Sequence, residues 1–144
     1  MKNRILRTIA MLSLAAAISV ATVSAQTRTH LEADIPFDFV VGEKTLPAGH
    51  YTIKNASRNL QEAILIRSKD GSESALIITG SVSGRTIQKS GKLVFHQYGD
   101  KHFLAQVWPS GTETGREVRE SKTEQERVRE MVRAIRTVEA RGKN

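Results

Sequence analysis

Between residues 33 and 108 the chain alternates short apolar runs with turn chemistry, and no segment between those runs is long enough for a helical crossover. This pattern restricts it to antiparallel strands joined by tight turns. In the first candidate strand, residues 34–41, Ile35, Phe37, Phe39 and Val41 alternate with Asp34, Pro36 and Asp38, giving one apolar and one polar face. Pro36 has no N–H to give to a ladder, which places this strand at or beside an edge. Gly42-Glu43 and Leu46-Pro47-Ala48-Gly49 supply reversals, because proline presets φ and glycine accepts positive φ. Residues 50–54 follow as a strand. Residues 63–67 and 74–79 are nearly continuous apolar runs around Asp70-Gly71, the clearest hairpin signal, and residues 80–85 read as a loop. Residues 92–98 and 102–108 flank Gly99-Asp100 as the last hairpin.

After Pro109 the composition shifts to Glu, Arg and aliphatics. Ser121 and Glu124 have the spacing of a capping box, and Val128, Met131, Val132, Ile135 and Val138 recur at helical spacing. A helix over residues 121–141 is expected, its stripe docked on the sheet or paired with a second copy or another protein, with attachment to a membrane surface disfavoured by the Glu-rich polar face. The expected fold class is mainly β: an antiparallel meander forming a small sandwich or partly closed barrel, plus one C-terminal amphipathic helix. The corresponding division is 1–25 signal peptide, 26–32 flexible segment, 33–110 β domain, 111–120 linker, 121–141 helix and 142–144 tail.

The leader rests on Lys2, Arg4 and Arg7, an uncharged run over residues 9–23, and Val23-Ser24-Ala25, which suits a signal peptidase. Cleavage after Ala25 is expected, with an uncleaved membrane anchor as the alternative. The chain has no cysteine, so it has neither a lipid-modified N-terminal cysteine nor a disulfide. Loss of the leader takes the formal charge from +7 to about +4, a mild basicity that suits an anionic envelope surface. Export to the periplasm or the extracellular space is expected, with no nucleic acid as a partner on that location and no transmembrane span after leader cleavage.

Reactive constellations are sparse. Of His30, His50, His96 and His102, only the last two are close in sequence, and zinc needs three or four converging ligands. One hairpin register sets His96 opposite His102, which makes them weak metal candidates; the neighbouring register sets His96 opposite Phe103. Motifs for a nucleophilic serine, a cysteine nucleophile or a phosphate-binding loop are missing, so neither enzymatic chemistry nor a cofactor is expected. Tyr51, Tyr98 and Trp108 are the candidate ligand surface, with core packing as the competing role. The expectation is an exported, non-enzymatic β domain of the cell envelope with a binding or structural role. Its alternatives are a periplasmic small-ligand carrier or hydrolase-like enzyme with a pocket in the β fold, and a helix-mediated assembly subunit.

Two blocks, IPFDFVVGEKTLPAGHYTI over residues 35–53 and GKLVFHQYGDKHFLAQVW over residues 91–108, resemble a family of small secreted bacterial β proteins of unassigned function. That family carries PFxFxVGxxxLPAGxY and LVFHxYGDxxFL blocks behind a signal peptide. The resemblance implies architecture and export and carries over no catalytic or cofactor residue.

Overall fold

A computed structural model describes residues 30–57, 62–131 and 133–142. These form strands β1 (His30–Ile35), β2 (Phe39–Val41), β3 (Lys44–Leu46), β4 (Gly49–Asn55), β5 (Ala63–Ser68), β6 (Ser74–Ser83), β7 (Gly91–Tyr98), β8 (Lys101–Trp108), β9 (Thr114–Val118) and β10 (Ala134–Gly142), with helix α1 (Lys122–Glu130) before the last strand. Eight of the strands close into an antiparallel barrel in the order β8-β7-β10-β1-β4-β5-β6-β9, and β9 returns to β8 through Gln106↔Glu117 and Val107↔Arg116. The β2–β3 hairpin lies outside that ring and joins β8 in parallel at Val40↔Phe103.

Period-two alternation fills the lumen. Leu31, Ala33 and Ile35 of β1, Tyr51 and Ile53 of β4, Ile64 and Ile66 of β5, and Leu93 and Phe95 of β7 are all buried in one cluster. Each large member contributes about 1.5–3 kcal/mol by leaving water. Phe39 reaches both Tyr51 and Phe95 edge-on, at 5.1 and 5.6 Å, so the β2–β3 hairpin inserts an aromatic between distant staves. Closure leaves the barrel without two free edges facing each other, which a sandwich would have to protect.

Several boundaries differ from the sequence expectation. The strand expected over residues 34–41 divides into β1 and β2 around Pro36, whose missing N–H ends the ladder at Ile35 and frees the chain to cross to β8. Part of the expected flexible segment, His30–Glu32, belongs to β1, whereas residues 26–29 and the leader lie outside the described residues. The expected loop over residues 80–85 is largely strand, because β6 continues to Ser83 and pairs with β9, which occupies the expected linker. Consequently the strand order is not a simple meander: β9 inserts between β6 and β8, and β10 between β7 and β1.

The largest correction concerns the helix expected over residues 121–141. Helix α1 stops at Glu130, and Ala134–Gly142 is the strand that fills the gap between β7 and β1. Residues Ile135, Thr137 and Val138 are β-branched, and the ladder edges of β7 and β1 would be left unpaired without a strand there. Val138 lies opposite Leu93 and packs on the core, whereas Ile135 lies opposite His96 and is exposed. The five-residue stripe therefore does not share one face. Val128 and Met131 are exposed, and Val132 lies outside the described residues.

Candidate functional site

The two-residue turn at Gly99-Asp100 sets His96 opposite Phe103 and Gln97 opposite His102. The two imidazoles therefore leave the hairpin on opposite faces, and the weak His96/His102 metal pair does not form. His102 points into the barrel end, where its ring stacks on Phe37 with centroids 3.9 Å apart. Its ring nitrogens have no well-formed hydrogen bond among the described residues. Burial pushes the imidazole below its ordinary value and the Arg136 guanidinium adds to this, while the nearby Asp38 main chain and the Asp100 carboxylate oppose it.

Tyr51, Tyr98 and Trp108 do not make a common surface either. Tyr51 faces the lumen, and its hydroxyl donates to the Pro47 carbonyl at 2.7 Å. Trp108 lies over Gly115 and Gly84, and its indole N–H donates to Gln106 at 2.9 Å. Tyr98 is buried against Phe103 on the outer wall.

That outer wall carries a group of ionisable side chains joined by hydrogen bonds and ion pairs, His96, Glu120, Glu124 and Arg133. α1 begins at Ser121, whose hydroxyl accepts from the Glu124 N–H at 3.1 Å. Glu43, in the β2–β3 turn, receives the Lys122 N–H at 3.2 Å and the Thr123 hydroxyl at 3.3 Å, placing a carboxylate at the positive end of the helix. These contacts aim the first turn at β7. The Glu124 side chain does not return to Ser121 as a full capping box would; it turns to the barrel and is only 3% exposed. There His96 Nδ1 lies 2.6 Å from Glu124 Oε1, the imidazole N–H donating to the carboxylate.

Tyr98 and Arg133 complete the arrangement. The Tyr98 hydroxyl donates to Glu124 Oε1 at 3.5 Å and accepts from Arg133 Nε at 2.6 Å, while the other arm of Arg133 pairs with Glu120. Burial raises the Tyr98 phenol above its ordinary value, Arg133 partly offsetting the effect and Glu124 reinforcing it. His96, Glu120 and Glu124 present ligand-type atoms within 4.8 Å of one another. α1 is thus held by a charged cluster, buried at Glu124 and open to solvent at Glu120 and Arg133, rather than by an apolar stripe.

The sequence expectation missed Glu120, Glu124 and Arg133 as members of a site. Glu120 falls in the expected linker, Glu124 in the expected capping box and Arg133 within the expected helix. In the fold Arg133 turns to Glu120, and Arg127 takes Glu130 at 3.6 Å. No local signal joins Glu124 to His96, which is 28 positions away.

Fold and site together define a small closed β-barrel, filled by its own side chains, with a helix strapped to the outer wall by a His–Glu–Tyr–Arg cluster. No family model, curated protein or solved structure matches this chain.

Proposed function

We propose that the protein is an exported, non-enzymatic envelope domain that binds a partner with the outside of its barrel. The observation that carries this reading is the apolar row on the outer face of β6. Leu76 and Ile78 are 67% and 74% exposed and stand beside Leu65 and Ala63 of β5. Isolated exposed apolar residues are ordinary, but neighbouring ones on a strand face form the kind of patch that marks an interaction site. Phe39, Tyr51 and Phe95 occupy the lumen, which directs recognition outward rather than into a pocket of a carrier or hydrolase-like protein. Export rests on the sequence of the leader and on the secreted-family resemblance; among the described residues no helix is long and apolar enough to cross a membrane.

The test combines location with contact. Expressed with its leader in a Gram-negative host, the chain is expected in the periplasmic or culture fraction, beginning at Gln26. A photoreactive side chain at position 76 is expected to give a defined adduct there, and Ile78→Lys to abolish it. Retention in the cytoplasm, or an adduct unaffected by the charge, refutes the reading. A second face is supported by Val128, Met131 and Ile135, exposed where α1 hands over to β10. Self-association through that face predicts that Ile135→Lys makes the chain monomeric.

A further inference from the structure

We infer that His96, Glu120 and Glu124 form a binding site for a divalent transition-metal ion, with Arg133 as the cation that occupies this charge environment when no metal is bound. This goes beyond the binding role proposed above. One imidazole nitrogen and two carboxylates suit zinc and its first-row neighbours, which take nitrogen and oxygen ligands at about 2.0–2.2 Å. Two separate elements converge to supply them. The outer face of β7 presents His96, while Glu120 and Glu124, four residues apart around the start of α1, present their carboxylates to it.

The burial and charge of the cluster favour a cation over three unrelated side chains. Glu124 is almost wholly buried, His96 is mostly buried, and Glu120 keeps the cluster open to solvent on one side. A neutral imidazole with two carboxylates carries two negative charges, which one divalent ion neutralises. In its place the fold uses the Arg133 guanidinium on Glu120 and the His96 N–H on Glu124. Metal binding would require the His96 Nδ1 proton to pass to Nε2 through solvent, freeing the Nδ1 lone pair, the 2.6 Å His96–Glu124 contact to open to about 3.3 Å, the spacing of two ligands on a tetrahedral zinc, and the Arg133 arm to leave Glu120 while keeping Tyr98. These are a tautomer change and two side-chain movements. Tyr98, already bonded to Glu124 and Arg133, would hold the buried carboxylate in place, the part that groups behind metal ligands commonly play.

Zn2+ is the probe. The purified full chain, treated with chelator and titrated by calorimetry, is expected to take up one equivalent. Glu120→Gln, a change at a partly exposed side chain that leaves the His96–Glu124 pair intact, is expected to weaken uptake by at least about tenfold, the loss that changes even behind the ligands produce. His96→Ala is expected to do the same, and Arg133→Met to tighten binding by removing the competing cation. The exposed His50–Asp34 pair, 3.6 Å apart, is the alternative place for adventitious zinc, so His50→Ala is expected to leave uptake unchanged. A wild-type chain that binds no Zn2+ overturns the inference, as does uptake that survives Glu120→Gln or disappears with His50→Ala.

Discussion

His102 sits in surroundings that disfavour its charged form: it is buried, and its ring nitrogens have no well-formed hydrogen bond among the described residues. Its ring is sandwiched into an aromatic end of the barrel with Phe37, itself edge-on to Phe95 at 5.2 Å, and the folded state disfavours its proton. The unfolded imidazole titrates near its ordinary value of 6.5 and the folded one lower. As pH falls through 6.5 the unfolded chain therefore takes up a proton first, and stability declines until the folded-state value is reached. Urea midpoints followed against pH are expected to fall over that window in the wild type and to fall less in His102→Phe, which keeps the stacking and loses the titration. Equal slopes in the two proteins would remove His102 as the cause. Packing at Gly115 is equally constrained: a Cβ there would stand 2.7 Å from the Trp108 ring, whose indole is fixed by Gln106. Gly115→Ala is expected to cost on the order of 1–3 kcal/mol in chemical denaturation, the usual penalty for overfilling a packed contact.

The final two elements show where local pattern stops being informative. The hairpins around Asp70-Gly71 and Gly99-Asp100 were legible from their turn residues because each closes within a few residues, and both form. The fold class was likewise readable from the punctuation of the β segment. What the pattern did not carry was the fate of residues 131–141, where Val138 lies three positions from Ile135, as on one helix face, and two from Ala140, as on one strand face. Both periods fit the same letters, and the decision was made by the vacant ladder between β7 and β1, more than 30 residues away from either end of β10. The site was hidden for the same reason: His96 and Glu124 are ordinary residues until the helix is laid against β7. One consequence separates this architecture from a barrel with an appended assembly helix. Truncation before Ser121 removes β10 and breaks the ring, so the shortened chain is expected to lose cooperative unfolding and near-ultraviolet dichroism. A shortened chain that remained a folded monomer would contradict the position of β10. The milder Ser121→Ala, which removes the α1 cap, is expected to cost about 1 kcal/mol with the barrel intact.

At the scale of the whole molecule, the ring is closed by two pairings of very different reach. Leu31 meets Gly142 from the opposite end of the described chain where β1 joins β10, whereas the β8–β9 seam rests on two pairs from consecutive strands, Gln106↔Glu117 and Val107↔Arg116. The β1–β10 pairing cannot form until a long loop has been closed, so its entropy cost falls on the complete barrel rather than on any hairpin within it. Shared side chains then couple the staves. Phe39 from the external hairpin touches Tyr51 and Phe95, and the strap from Glu43 through Glu124 to His96 binds the same hairpin, α1 and β7 into one unit. Such cross-links imply a single cooperative transition. The chain's one tryptophan, Trp108, stands at the end of β8 against β9, whereas far-ultraviolet dichroism reports every strand. Urea unfolding curves from tryptophan fluorescence and from dichroism are therefore expected to superimpose. An earlier dichroism transition, with fluorescence unchanged, would mean that α1 and β10 open as a separate unit, and that the strap holds the helix to a barrel able to stand without its last stave.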